Sequence, residues 1–380
     1  VTIQTEIVTA PARLGSLRQP WQLLWERGGI EVFQRHEWIA GWTRGLAGRT
    51  DMRPLIGLAW QGERLVAVLP CAVRRRDGLR TLEWAAQELS DYCDALVDPE
   101  VDGPSTLEQV WDAVQHSGGF DLVHLKQVRQ DARARHLLDN ISQQSGTLRM
   151  QPTPERCLRI DSAWSDGEAW FRSLNKKARN NHTRGKRILA ELGGEVTFRL
   201  HDADAPVRPL LETILELKRA WLRANHPGSP MLGADASLPL AVLEAAWSTG
   251  RMAIFLLECG GRVAAASINF IHDTRLQAYL TAYDPVFDRA SPGTILIVEY
   301  TKWAFDRGIR VVDFLRGDEP FKFRLANAET QLDGYLGSRT LLGRAAIAAR
   351  DLRNRLRTQP VPLSATGAEE ITMALSPGIR

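Results

Sequence analysis

The spacing of apolar and polar positions divides the chain into short strands and medium helices. Trp21–Gly28 and His36–Leu46 carry apolar residues at helical spacing, with four tryptophans between them that read as packing residues. Pro54–Trp60 and Arg64–Val73 read as strands on either side of a tight turn at Gln61-Gly62, and Asp77-Gly78 signals a hairpin into a third strand, Leu79–Ala85. After a loop holding Ser90-Asp91-Tyr92, Thr106–His116 reads as a helix and Phe120–Leu125 as a strand. The order returns about 200 residues later. Ala253–Glu258, Arg262–Ile271 and Arg275–Ala282 read as strands joined at Gly260-Gly261 and Asp273-Thr274. A helix, Ile295–Arg307, closed by Gly308, and a strand, Arg310–Leu315, complete the second copy. A meander, a helix and a parallel strand occurring twice predict two copies of one α/β module.

Elsewhere the pattern is less regular. Residues 1–20 read as a loosely ordered lead-in, and Val128–Thr153 is polar, with a short helix at Ala132–Ser142 and a loop at Ser145–Pro154. Cys157–Ile160 reads as a strand and Asp166–Leu192 as one long helix ending at Gly193-Gly194. Further helices are expected at Pro206–Asn225 and Leu238–Ser248, with a Gly/Pro-rich loop at His226–Pro230 between them, and a last strand at Gln331–Gly337. Leu341–Arg357 is a helix with Ala345, Ala348, Ala349, Leu352 and Leu356 on one face and arginines on the rest, expected to pack on the second module, or else to touch a membrane surface. The expected organisation is a first module over 1–150, a second over 151–345, and a basic helix end with a disordered tail over 346–380.

Composition narrows the class. A chain of 380 residues exceeds one ordinary core, and 44% hydrophobic with 24% charged residues is the balance of a soluble globular protein. No apolar run reaches membrane-spanning length and the first residues have no secretory pattern, so a cytoplasmic location is expected. Cys71, Cys93, Cys157 and Cys259 are far apart and read as buried free thiols. His182, His226 and His272 lack metal-ligand spacing, so no metal is expected. A net charge of +3 makes no case for nucleic acid; local clusters matter more.

Three clusters carry candidate chemistry. Arg289-Ala290-Ser291-Pro292-Gly293-Thr294 precedes a helix, where Pro292 and Gly293 leave backbone N–H groups and the positive helix end facing one point, an arrangement suited to phosphate. The corresponding stretch of the first module holds Asp98, Glu100 and Asp102, which would repel such a ligand. Arg316, Asp318 and Lys322 follow a strand end, where α/β proteins place ligands; Asp318 is either a general base or a partner of Arg316 or Lys322 in a turn. Asp91 and Tyr92 either line an acceptor pocket between the modules or serve a turn. Lys176, Lys177, Arg179, His182, Arg184, Lys186 and Arg187 form a run without an acidic residue. Lys176 and Arg179, at i and i+3, are its candidates for a phosphate of a sugar nucleotide, a lipid or tRNA; a solvated helix face is the alternative.

These motifs resemble the CelD-like branch of the GNAT acetyltransferases, whose members are often encoded near polysaccharide-synthesis genes and which is similar to the Fem peptidyltransferases. The resemblance rests on Arg289–Thr294 before a helix, on Asp313–Arg324, on Ser90-Asp91-Tyr92 and on Leu174–Arg179, and spans about residues 30–345. It implies two tandem GNAT-like modules with largely antiparallel sheets, an acyl-CoA co-substrate such as acetyl-CoA with its pyrophosphate at Arg289, Ala290, Ser291, Gly293 and Thr294, and direct acyl transfer to an amine or hydroxyl of a small or sugar-linked acceptor. A splayed strand pair, here Leu276–Ala282 and Arg310–Leu315, would supply a backbone N–H to the oxyanion. Two departures are visible: Pro292 and Thr294 stand where the family loop has glycines, and Phe321 and Phe323 occupy the region of a common tyrosine acid. Tyr283 is the substitute acid, with Asp318, Lys322 and Arg316 as further catalytic candidates. The alternatives are a Fem-like transferase that uses aminoacyl-tRNA and a non-catalytic accessory protein of a polysaccharide complex.

Overall fold

The computed structural model describes residues 2–145, 147–161, 164–225, 227, 237–317 and 319–358. The first repeat consists of β1 (Ile3–Val8), α1 (Pro11–Ser16), α2 (Arg18–Gly28), α3 (His36–Gly45), β2 (Met52–Gln61), β3 (Arg64–Arg76), β4 (Leu79–Trp84), β5 (Leu96–Val97), α4 (Gly103–Ser117), β6 (Leu122–Arg129), α5 (Arg133–Ser145) and β7 (Leu148–Asp161). The second repeat begins with α6 (Gly167–Ser173), α7 (Lys176–Gly193), β8 (Val196–Leu200), α8 (Arg208–Asn225) and α9 (Ser237–Trp247). It continues with β9 (Met252–Cys259), β10 (Arg262–His272), β11 (Arg275–Tyr283), α10 (Pro292–Phe305), β12 (Val311–Arg316), α11 (Pro320–Leu325), β13 (Ala328–Ser338) and α12 (Leu341–Thr358).

Thirteen strands form one mixed, largely antiparallel sheet in the order β1-β2-β3-β4-β6-β13-β7-β12-β11-β10-β9-β8, with β5 paired to β3. The order is a palindrome in which β1–β4 answer to β8–β11 and β6 to β12. In both halves the meander ends in a parallel pair, β4 with β6 and β11 with β12. The last strand of each repeat crosses to the other: β13 pairs with β6, and β7 pairs with β12. The two exchanged strands then pair with each other at the centre.

The hairpin turns follow from residue type. Asp77-Gly78 and Gly260-Gly261 all have positive φ, the signature of the turn that matches strand twist. Alternation along the strands sends side chains to two layers. Ile56, Leu58 and Val68 of the first repeat share one core with Ile254, Ile268, Phe270 and helices α2, α3, α8 and α9. On the opposite face the repeats keep separate cores, one under α4 and α5 and one under α6, α7 and α10. Close approach of α3 to α9 depends on Gly41, where an added Cβ would sit 2.8 Å from the Ala241 carbonyl oxygen.

Several expectations need correction. Residues 3–8 are an edge strand paired to β2 over its whole length, and Leu14 and Leu17 are fully buried, so the lead-in is built into the fold. Its polar alternation is that of an edge strand wet on one side, which hid it. The expected loop at Ser145–Pro154 is mostly β7, held by the register Leu148↔Gly337 to Pro152↔Asp333. The long helix Asp166–Leu192 is two helices, because Leu174 and Asn175 are extended and the Asn175 side chain caps α7 through the Ala178 N–H (2.8 Å). Strand β8 and helix α11 were not anticipated. The loop residues His226 and 228–230 lie outside the described residues, as does the tail beyond Thr358. All four cysteines are buried and free. Among the described residues no helix is long and apolar enough to cross a membrane.

Candidate functional site

The site starts at the parallel pair of the second repeat. The ladder between β11 and β12 covers Arg275–Gln277 and Val311–Asp313 and goes no further. Beyond it, β11 bulges against β10, so that Asn269 opposes Ala278 and Ile268 opposes Leu280, leaving Tyr279 as the extra residue. Strand β12 turns at Leu315, whose φ is 54°. Both strands therefore leave regular pairing at the same level.

On the α10 side of this opening lies a cleft of ≈ 300 Å³. Its walls are residues 178–188 of α7, the turn Pro285–Ala290 with the start of α10, and α11. Arg289, Ala290, Ser291 and Thr294 line it, so four of the five residues expected to hold the donor meet here. Gly293 is buried behind them; a Cβ there would touch the Tyr283 ring (3.4 Å) and Thr281 (3.8 Å) and not the cleft. Ser291 is left-handed (φ 54°, ψ 54°) and α10 has no side-chain cap; the Thr294 and Ile295 N–H groups donate to the Ser291 carbonyl (3.0 and 3.2 Å) and Pro292 has none, so among the described residues the Gly293 N–H is the first-turn donor left over. Arg184 and Arg324 join Arg289 on the lining, and among the described residues none of the three is ion-paired. Three guanidinium groups without an ion pair among the described residues, the positive end of a 14-residue helix and an apolar floor of Leu174, Ile188, Ile295 and Leu325 suit a ligand with a phosphate group and an apolar body.

Gly185 explains how α7 comes so close. A Cβ there would lie 2.8 Å from the Ala290 carbonyl oxygen, so glycine is kept inside a helix that it weakens. The same helix is tied to α10 by Glu299, which accepts from His182 Nε2 (3.1 Å) and Lys186 Nζ (2.9 Å). Burial alone would raise the Glu299 carboxyl, but these two partners outweigh it and hold it at about 2. Lys176 and Lys177 are exposed at the start of α7, outside the cleft lining. Arg179 bends back to donate to the carbonyls of Arg172 and Leu174 (2.8 Å for the latter), closing the end of α6.

On the other side of the opening the two repeats meet. Tyr92 is buried and donates to Asp313 of β12 (2.9 Å), which also accepts from the Leu315 N–H (2.9 Å) and faces Arg275 (3.6 Å). The Tyr279 hydroxyl donates to the Leu89 carbonyl (2.8 Å). Asp91 lies 4.0 Å from Arg316, which itself makes a two-pronged contact to Glu155 (2.8 and 3.0 Å). Burial pushes the Asp91 carboxyl up to about 7, against the pull of Arg316 and Lys322. Lys322 is buried and donates to the Arg316 carbonyl and to Glu319 (2.9 Å), so it clamps the turn from β12 into α11. Asp91, Arg316 and Lys322 are thus brought together. Tyr283 is apart from them, its hydroxyl donating to Asp288 (2.9 Å), and neither residue lines the cleft; Asp318 lies outside the described residues.

Among the described residues the first repeat has no such opening. Segment 90–95 fills the position between β4 and β6: the Cys93 N–H donates to the Gln127 carbonyl (2.9 Å) and Asp94 accepts from the N–H groups of Arg133 and Ala134 (both 2.8 Å) at the start of α5. Asp102 caps α4 through Ser105 (3.2 Å), and Asp98 is fully buried against Arg27 (2.8 Å). Gln127 is left-handed (φ 61°), like Leu315 at the equivalent place in β12.

Residues 176–323, from α7 to α11, match the model of the acetyltransferase (GNAT) domain family. The fold is that of a GNAT-type acyltransferase. The crystal structure of FemX is similar at 11% identity and a TM-score of 0.59, over 91% of this chain and 99% of that one. The C-terminal domain of a putative lysylphosphatidylglycerol synthetase from Agrobacterium fabrum is similar at 14% identity and a TM-score of 0.53, over 90% and 96%. No curated protein matches the chain. Sequence reading missed Asp313, Glu155, Tyr279 and Gly185. The first three are brought in by strand pairing across the sheet, which no local pattern shows; the glycine interrupting an otherwise regular helix was the one available signal.

Proposed function

We propose that this GNAT fold transfers an acyl group directly from acyl-CoA, acetyl-CoA being the simplest, to an amine or hydroxyl of an acceptor. The observation that carries the reading is the cleft lined by three arginines, none ion-paired among the described residues, beside the start of α10, which has no side-chain cap. Arg289, Arg184 and Arg324 would hold the donor's pyrophosphate at the positive end of α10. The donor, when bound, supplies a thioester carbonyl. Backbone N–H groups released by the Tyr279 bulge are the candidates to receive its oxyanion. Asp91, raised to about 7, suits the role of proton acceptor from the attacking group, with the Arg316 guanidinium 4.0 Å away. Tyr283, whose hydroxyl is raised by burial and by Asp288, is the candidate acid at the thiolate end. The resemblance to the CelD-like branch makes a sugar or exopolysaccharide precursor the proposed acceptor.

Titration calorimetry with acetyl-CoA and longer acyl-CoAs tests this. Arg289→Ala should weaken binding about 10- to 100-fold, as for loss of a charge-assisted contact. A second reading draws on Lys176 and Lys177, exposed beyond the cleft: an aminoacyl-tRNA donor. No affinity for any acyl-CoA, with tRNA binding that falls steeply with salt, would replace the first reading by the second.

A further inference from the structure

Helix α12 is turned inside out. Its contacts with the sheet use small and polar residues: an added Cβ at Gly343 would lie 2.2 Å from the Asp121 carbonyl oxygen, Asp351 pairs with Arg149 (2.8 Å), and Arg350 donates to Gln151 (3.2 Å). Leu341, Leu342 and Leu352 face away, 80%, 56% and 59% exposed. Ala345, Ala348 and Ala349 are exposed with them. At about 100° per residue these six positions form one stripe roughly 120° wide, opposite Gly343 and Ile347. Arg344 borders the stripe on one side and Arg353 on the other; both are exposed, and among the described residues neither has an acidic partner.

We infer that this face docks on an anionic lipid surface, with α12 lying in the plane of the headgroups. The charge complement selects that occupant. Apolar side chains on a planar stripe enter the acyl boundary, while arginines on both flanks reach sideways to lipid phosphates. A helix that seals a protein core buries its leucines inward; here the inward contacts hold without them, so the exposed leucines serve something outside the described fold. The inference is independent of the donor and acceptor proposed above.

Flotation of the full chain with vesicles decides it, using phosphatidylcholine alone and about three parts phosphatidylcholine to one part phosphatidylglycerol. Binding should be confined to the anionic vesicles and weaken as salt rises. The exposed triple variant Leu341→Ser/Leu342→Ser/Leu352→Ser should lose binding while keeping its melting temperature. Arg344→Gln and Arg353→Gln, as a second set, should each lower affinity about fivefold. The inference is overturned if the full chain ignores anionic vesicles, or if both sets of variants bind like wild type. It is also overturned if the triple serine variant changes only the oligomeric state, which would assign the stripe to a second copy of the chain.

Discussion

At the scale of single residues, Asp91 and Tyr92 are adjacent but do different work. Tyr92 satisfies a buried carboxylate, Asp313, so Tyr92→Phe should cost about 1–3 kcal/mol of stability by chemical denaturation. Asp91 faces a cation at the limit of ion-pair range while being largely removed from water. Its carboxyl is raised in the fold, so protonation favours the folded state and ionisation opposes it. Asp91→Asn should therefore gain stability over wild type as pH rises from about 4 to about 7, by at most ~1.4 kcal/mol per unit, and level off above. If Asp91 accepts the acceptor's proton, kcat/KM should climb through about pH 7 in wild type and lose that limb in the variant. A stability gain without the kinetic change would leave Asp91 a structural residue.

At the scale of elements, the cleft depends on how α7 sits against α10. Gly185→Ala must push the Ala290 carbonyl aside, and a loss of about 1–3 kcal/mol is expected, together with weaker donor binding. Glu299→Gln should cost about 2–3 kcal/mol at pH 7. The carboxyl is depressed in the fold, so that difference should persist above the ordinary carboxylate range and fade as pH falls toward 2. Most elements were legible beforehand, because turn residues such as Asp77-Gly78 and Gly260-Gly261 punctuate strong apolar runs. The misreadings have physical causes. Asn175 caps a new helix inside a pattern that reads as continuous, and β1 and β8 lie at the two edges of the sheet, where polar residues are tolerated and the apolar signal fades. Of the five residues named from the sequence before α10, four line the cleft, since a Pro-Gly helix start is a local signal. The cluster of Asp91 with Arg316 and Glu155 depends on non-local pairing, and only the first two were candidates.

At the scale of the molecule, exchange of β7 and β13 makes the halves mutually dependent. Residues 1–145 alone would leave β6 without β13 and a shared core half-exposed, so that fragment should fail to fold, whereas the full chain should melt in one calorimetric transition. One donor should bind per chain, because the first repeat caps α4 and fills its own opening with residues 90–95.

The exchanged strands bear on descent as well as on stability. A chain with a single such repeat, handing its final strand to a neighbour, would have been an obligate pair with two equal clefts, and any change in one would have appeared in both. Two such repeats in one chain are free of that symmetry and still exchange their last strands. The two halves have used that freedom: the first fills its opening with residues 90–95, and its Tyr92 reaches across to Asp313 of the second.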